Sequence, residues 1–146
     1  MNNTMGFLLE QSKEKEAQAL LSLNKAQSEL DGYYLQVQQI EQYRLDYCQQ
    51  LVDRGKEGLT ASQYCHLNRF LTQLDETLSK QKEAEQHFKE KVVNCQEYWL
   101  NMRKERKSYE WMVEKHIQKE QIEQARIEQK QMDEFSTLLY SRKPRA

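Results

Sequence analysis

Proline is nearly absent and glycine is scarce. Pro144 is the only proline, and Gly6, Gly32, Gly55 and Gly58 are the only glycines in 146 residues. A fold that needs many tight turns is thereby excluded. Charge of one sign is lacking too: 22 basic and 23 acidic residues are interspersed, for a net charge of −1. That removes the field on which non-specific nucleic-acid binding depends, so no nucleic acid is expected as a partner. Cys48, Cys65 and Cys95 are odd in number and form no CxxC pair, so neither a disulfide framework nor a thiolate zinc site is indicated. Cys48 and Cys65 stand nearly equidistant from Gly55–Gly58 and could face each other across a hairpin, but a reducing cytosol argues against a functional disulfide. No apolar run approaches the roughly 20 residues of a membrane span. The start, Met1 to Glu10, has no positive n-region, and its apolar run stops at Leu9. The expected location is cytoplasmic, with no direct membrane span.

Reactive constellations are missing as well. There is no Gly-rich phosphate loop, no HExxH and no GxSxG. His66, His87 and His116 are scattered, and adjacent residues such as Cys65 and His66 point about 100° apart on a helix. Carboxylates stand beside Lys or Arg, as in Lys13-Glu14-Lys15-Glu16 and Arg103-Lys104-Glu105-Arg106-Lys107, which reads as solvated helix surface. The expectation is a protein without catalytic residues, cofactor or metal.

What is present is helix. With 38% apolar and 31% charged residues, rich in Gln, Ala, Leu, Lys, Glu and Arg, the chain has little material for a globular core and much for long helices. Leu9, Ala19, Leu23, Ala26, Leu30, Tyr33, Val37, Ile40, Tyr47 and Leu51 recur at alternating steps of three and four, a heptad seam with Ser12, Glu16 and Arg44 in the missing slots. Leu20, Tyr34 and Cys48 widen it on one side. The only credible break is Asp53-Arg54-Gly55-Lys56-Glu57-Gly58-Leu59, where Gly55 is suited to end a helix and Gly58 supplies a second permissive position. Thr60-Ala61-Ser62-Gln63 then matches a capping box. The stripe resumes at Tyr64, Leu67, Leu71, Leu74, Leu78, Phe88, Val92, Cys95, Trp99, Met102, Tyr109 and Val113, interrupted by Gln81, Glu85 and Arg106.

The predicted fold is all-α: a single coiled-coil domain over 1–146, an antiparallel two-helix hairpin with a long C-terminal helical overhang. Helix one is placed at about 4–53, the turn at about 54–59 and helix two at about 60–141. At about 1.5 Å per residue the helices would span about 70 Å and 110–120 Å. Folding about residue 56 or 57 pairs positions whose numbers sum to roughly 113–118, and leaves everything beyond about residue 110 without a partner in cis. The polar seam predicts marginal stability with opening of the ends. The overhang closes on Met132, Phe135, Leu138, Leu139 and Tyr140, an apolar tip that must find burial on another chain or fray.

Near the turn, Gln36, Ile40, Tyr43 and Tyr47 follow steps of four, three and four, and Phe70, Leu74, Thr77 and Gln81 repeat them. Ile40, Tyr47 and Leu74 also fall on the seam, where they serve to hold the hairpin together. Tyr43 and Phe70 are read as lying off it, the position of a docking patch.

Two motifs carry a resemblance to a known family. Gln129-Lys130-Gln131-Met132-Asp133-Glu134-Phe135, followed by Arg142-Lys143-Pro144, resembles the end of the FliJ family of flagellar type III export proteins. Gly58-Leu59-Thr60-Ala61-Ser62, leading into Asn68-Arg69-Phe70-Leu71 and Leu74, resembles its turn region. The resemblance implies a monomeric stalk-like rod acting in the central hole of the hexameric export ATPase. It implies a second contact with the cytoplasmic domain of the export gate, a membrane protein, which would hold the chain at the cytoplasmic face of the inner membrane, and escort of empty flagellar substrate chaperones. Carried over by position, the gate-docking face would be Gln36, Ile40, Tyr43, Tyr47, Phe70 and Leu74, continued by Thr77 and Gln81. The contact with ATPase ring and chaperones would involve Leu8, Leu9, Leu20, Leu23, Met132, Phe135, Leu138 and Leu139. The competing readings are the equivalent stalk of a virulence secretion system, a free-standing helical chaperone or holdase, and a self-associating coiled coil.

Overall fold

The computed structural model describes residues 2–142; Lys143 and Pro144 of the C-terminal motif lie outside the described residues. The described residues form two helices, α1 over Asn2–Glu57 and α2 over Ala61–Arg142, and they pack as an antiparallel all-α hairpin. The seam read from the sequence is the buried one. Along α1 the covered positions run through Leu9, Ser12, Glu16, Ala19, Leu23, Ala26, Leu30, Tyr33, Val37, Ile40, Arg44, Tyr47 and Leu51 without a missed step. Along α2 they run from Leu67 through Leu71, Leu74, Leu78 and Gln81 to Val113, and continue one step further to His116.

The turn differs from expectation in one respect that propagates. Gly55 does not end α1; the helix runs through it to Glu57, and Gly58, at φ 99°, makes the stop. That left-handed conformation strains a residue with a Cβ, whereas Gly58 adopts it freely. The capping box then starts α2 as predicted: the Gln63 amide donates to Thr60 Oγ1 at 3.2 Å and the Thr60 amide donates to Gln63 Oε1 at 3.2 Å. Because the stop lies about three residues later than supposed, the register shifts. Tyr33 faces Phe88, Glu29 pairs with Lys91 and Arg44 with Asp75, so facing positions sum to about 120 and not 113–118. Tyr64 falls outside the seam for the same reason. It is 51% exposed, since only the polar last turn of α1 remains to face it.

The chain divides into two compact units. The first, residues 17–101, holds the turn and every buried apolar side chain among the described residues: Ala19, Ala26, Leu30, Tyr33, Leu67 and Leu78. Tyr33 stacks on Phe88 with ring centroids 5.3 Å apart, and burial pushes its phenol pKa up. The second unit comprises residues 2–16 with 102–142. Its seam is poorer, and Ser12 is its one buried side chain among the described residues.

Gly32 sits mid-helix with open space where a Cβ would be. Gly32→Ala is therefore expected to stabilise the hairpin by about 0.5–1 kcal/mol, whereas Gly58→Ala, at positive φ, should cost on the order of 1 kcal/mol. Urea unfolding of the two variants measures both.

Candidate functional site

Within residues 17–101 the heptad register gives each flank of the hairpin a composition. In an antiparallel pair the position just before each a residue faces its counterpart on the other helix. Glu29 and Lys91 occupy that position and meet at 2.9 Å. Gln36 and Tyr43 on α1 and Phe70 and Thr77 on α2 share it, so these four lie along one flank. The six gate-face residues inferred from the resemblance thus form one surface strip, made of two kinds of residue. Ile40, Tyr47 and Leu74 are half-buried in the seam, while Gln36 is exposed and Tyr43 is 59% exposed.

Phe70 shares the off-seam flank with Tyr43, but its ring turns inward and does not stand free as Tyr43 does. It is half-buried, its ring 4.3 Å from that of Tyr47, and so it contributes to holding the hairpin near the turn. Thr77 is exposed, its hydroxyl donating to the Gln73 carbonyl at 2.9 Å, and Gln81 is half-buried in the seam.

The opposite flank of the same unit is ionic. Arg44 Nε donates to Asp75 at 2.6 Å in a shallow groove lined also by Glu41, Leu45 and Lys82. The Tyr34 hydroxyl donates to Glu85 at 3.1 Å, and Lys89 reaches the same carboxylate at 2.9 Å. Such exposed pairs contribute little stability each. They do set register, because a shift by one heptad would separate every pair.

Hydrogen bonds from Lys91 to Glu29, and from Lys89 and then Tyr34 to Glu85, hold both carboxyls below their ordinary range. A carboxyl whose folded pKa is lowered binds its proton more readily in the unfolded chain. Its contribution is therefore complete above the unfolded value of about 4.3 and is lost as pH falls through the folded one. The melting temperature is expected to hold between neutrality and about pH 5 and to fall below it. Glu29→Gln with Glu85→Gln should flatten that fall in thermal melts.

In the second unit the residues that the resemblance assigns to a ring contact fall into two groups. Leu8 and Leu9 are half-buried in the terminal seam, whereas Met132, Phe135, Leu138 and Leu139 are exposed, Met132 by 64% and Phe135 by 59%. Every residue from Ile117 to Arg142 is exposed, so the overhang begins after His116, several residues later than the shorter register implied. Glutamine-to-carboxylate bonds four residues apart, Gln124 to Glu128 and Gln129 to Asp133, brace this part of α2. Leu23 and Leu20 belong to the other unit, Leu23 half-buried in its seam and Leu20 41% exposed beside it.

One cluster went unrecognised in the sequence. Glu16 and Arg106 read as separate interruptions of two stripes, yet they meet across the terminal seam. The Arg106 guanidinium donates through Nε and, at 3.3 Å, through Nη2 to the two oxygens of Glu16, and through Nη1 to Glu110 at 2.8 Å. These bonds hold the guanidinium pKa above its usual value. The signal was there in the two polar gaps, but only a register sum near 120 brings them together. Cys48, Cys65 and Cys95 are free thiols, and Cys65 is exposed. No group of three or more metal-ligating side chains occurs among the described residues, and none of their helices is long and apolar enough to cross a membrane.

No curated protein matches the sequence significantly. A solved structure from Chlamydia trachomatis, the protein CT670 described as a YscO homologue, resembles the chain at 18% identity with a TM-score of 0.46, over 96% of this chain and 91% of that one. The family model described as Flagellar FliJ protein matches residues 1–145. With that match covering nearly all of its length, the chain belongs to the flagellar FliJ family of helical proteins associated with type III export.

Proposed function

We propose that this chain is a non-enzymatic, stalk-like coupling protein of the flagellar export apparatus. It binds the hexameric export ATPase through the overhang of α2, engages the cytoplasmic domain of the export gate through the flank bearing Tyr43, and escorts empty substrate chaperones. It works at the cytoplasmic face of the inner membrane, held there by those partners. The observation that carries this reading is the stretch from Ile117 to Arg142, which leaves Ile117, Ile122, Ile127, Met132, Phe135, Leu138 and Leu139 exposed among the described residues. Isolated helices in water are marginal, and an amphipathic helix of this length gains most of its stability from a partner that takes its apolar side chains. Family membership supplies the class of partner.

The mechanism follows from shape. A helix without internal symmetry, entering a ring of identical subunits, contacts them unequally and biases ring assembly or nucleotide turnover. The test is a reconstitution of the purified export ATPase. Adding the chain is expected to raise hexamer formation and ATP turnover together; an ATPase whose assembly and rate are both unchanged at saturating chain contradicts the proposal.

A further inference from the structure

The terminal unit closes on a seam unlike the rest. On the α1 side its covered positions include Met5, Leu8, Leu9, Ser12 and Glu16, and on the α2 side Met102, Arg106, Tyr109, Val113 and His116. Its centre is polar. Ser12 is only 3% exposed, yet its hydroxyl donates at 2.7 Å to the Leu9 carbonyl of its own helix and so adds nothing across the seam. Glu16 and Arg106 form the next layer as a half-buried ion pair, whose attraction is largely offset by the desolvation of both charges. Arg106 also holds Glu110 on its own helix at 2.8 Å. If α1 leaves, the guanidinium keeps that carboxylate and Glu16 regains water, so neither charge is stranded. Immediately beyond Glu16 the character changes, because Ala19, Ala26, Leu30 and Tyr33 are all buried.

We propose that residues 2–16 are a releasable strap: they detach from α2 as one unit while residues 17–101 stay folded, and so uncover Tyr109 and Val113. Release lengthens the exposed part of α2 backward from Ile117 to Arg106, by about three helical turns. The Glu16–Arg106–Glu110 cluster is its latch, strong enough to set register when closed and cheap to break because the arginine retains one partner. The proposal concerns the free chain and holds whichever molecule occupies the overhang.

Amide hydrogen exchange of the full chain near neutral pH, read by mass spectrometry on overlapping peptides, tests it. Amides of 5–16 are expected to exchange at least about tenfold faster than those of 19–33, with a step between Glu16 and Ala19. Ser12→Leu, Glu16→Leu and Arg106→Leu together should slow exchange of 5–16 by about tenfold or more and leave 19–33 unchanged, since an apolar layer replaces a costly one. Ser12→Leu alone, which keeps the latch, should slow the same peptides to a lesser extent. Equal protection on both sides of Glu16, or a smooth gradient from the N-terminus through Tyr33, which is ordinary fraying, would overturn the strap. So would unchanged exchange of 5–16 in both variants.

Discussion

Tyr33→Ala is expected to cost the hairpin roughly 3–5 kcal/mol, the range for removing a large buried aromatic side chain. Tyr33 is 4% exposed, stacks on Phe88 and touches Tyr34 at 5.4 Å between ring centroids, so truncation removes both ring contacts and opens a void in the unit that holds the buried apolar residues. A domain of this size has about 5–15 kcal/mol in total, so one substitution takes a large share. Tyr43→Ala provides the control within the same helix. Its ring is 59% exposed, and its loss should change stability by less than about 0.5 kcal/mol while weakening attachment to the export gate. Urea unfolding monitored by circular dichroism measures the first effect. Co-purification with the gate's cytoplasmic domain measures the second. Phe70→Ala is a poorer probe of docking, because its ring lies on Tyr47 and its removal mixes lost packing with lost contact.

Ending the chain at His116 should abolish binding to the ATPase ring and leave the melting transition of the hairpin nearly unchanged. The residues removed are exposed throughout 117–142, so little apolar burial goes with them. Loss of the apolar cluster that includes Met132, Phe135, Leu138 and Leu139 removes the side chains best placed to anchor a partner, and such anchors carry most of the affinity of an interface. A drop in binding of at least about 100-fold, or roughly 3 kcal/mol, is expected. Retained binding by the shortened chain would move the ring contact onto the hairpin itself.

Most of the fold was legible because a two-helix seam writes itself into the sequence as a single period, and no other architecture competes with it in a chain almost free of glycine and proline. Even the polar gaps at Ser12, Glu16, Arg44, Gln81, Glu85 and Arg106 fell on covered positions. Register was less legible. Gly55 and Gly58 are equivalent as text, and only the backbone, helical at one and at φ 99° at the other, decides which stops α1. Choosing the first shortened the supposed pairing, put the start of the overhang near residue 110, credited Tyr64 with a partner and concealed the meeting of Glu16 with Arg106. Phe70 was misjudged for a different reason. A heptad names the a and d positions as core, but a large ring on the flank folds inward when a seam aromatic such as Tyr47 offers it a surface. The resemblance at the C-terminal motif and the turn pointed to the family that the match over 1–145 establishes.

The division of labour between a folded hairpin and an uncovered helix is tested most directly by footprinting the full chain with hydroxyl radicals, alone and with the assembled ATPase ring. The account predicts that the ring strongly protects Met132, Phe135, Leu138 and Leu139 while modification of Leu30, Tyr33 and Leu67 is low and the same in both states. Contradiction would be a ring that binds the chain yet leaves all four overhang side chains as reactive as before.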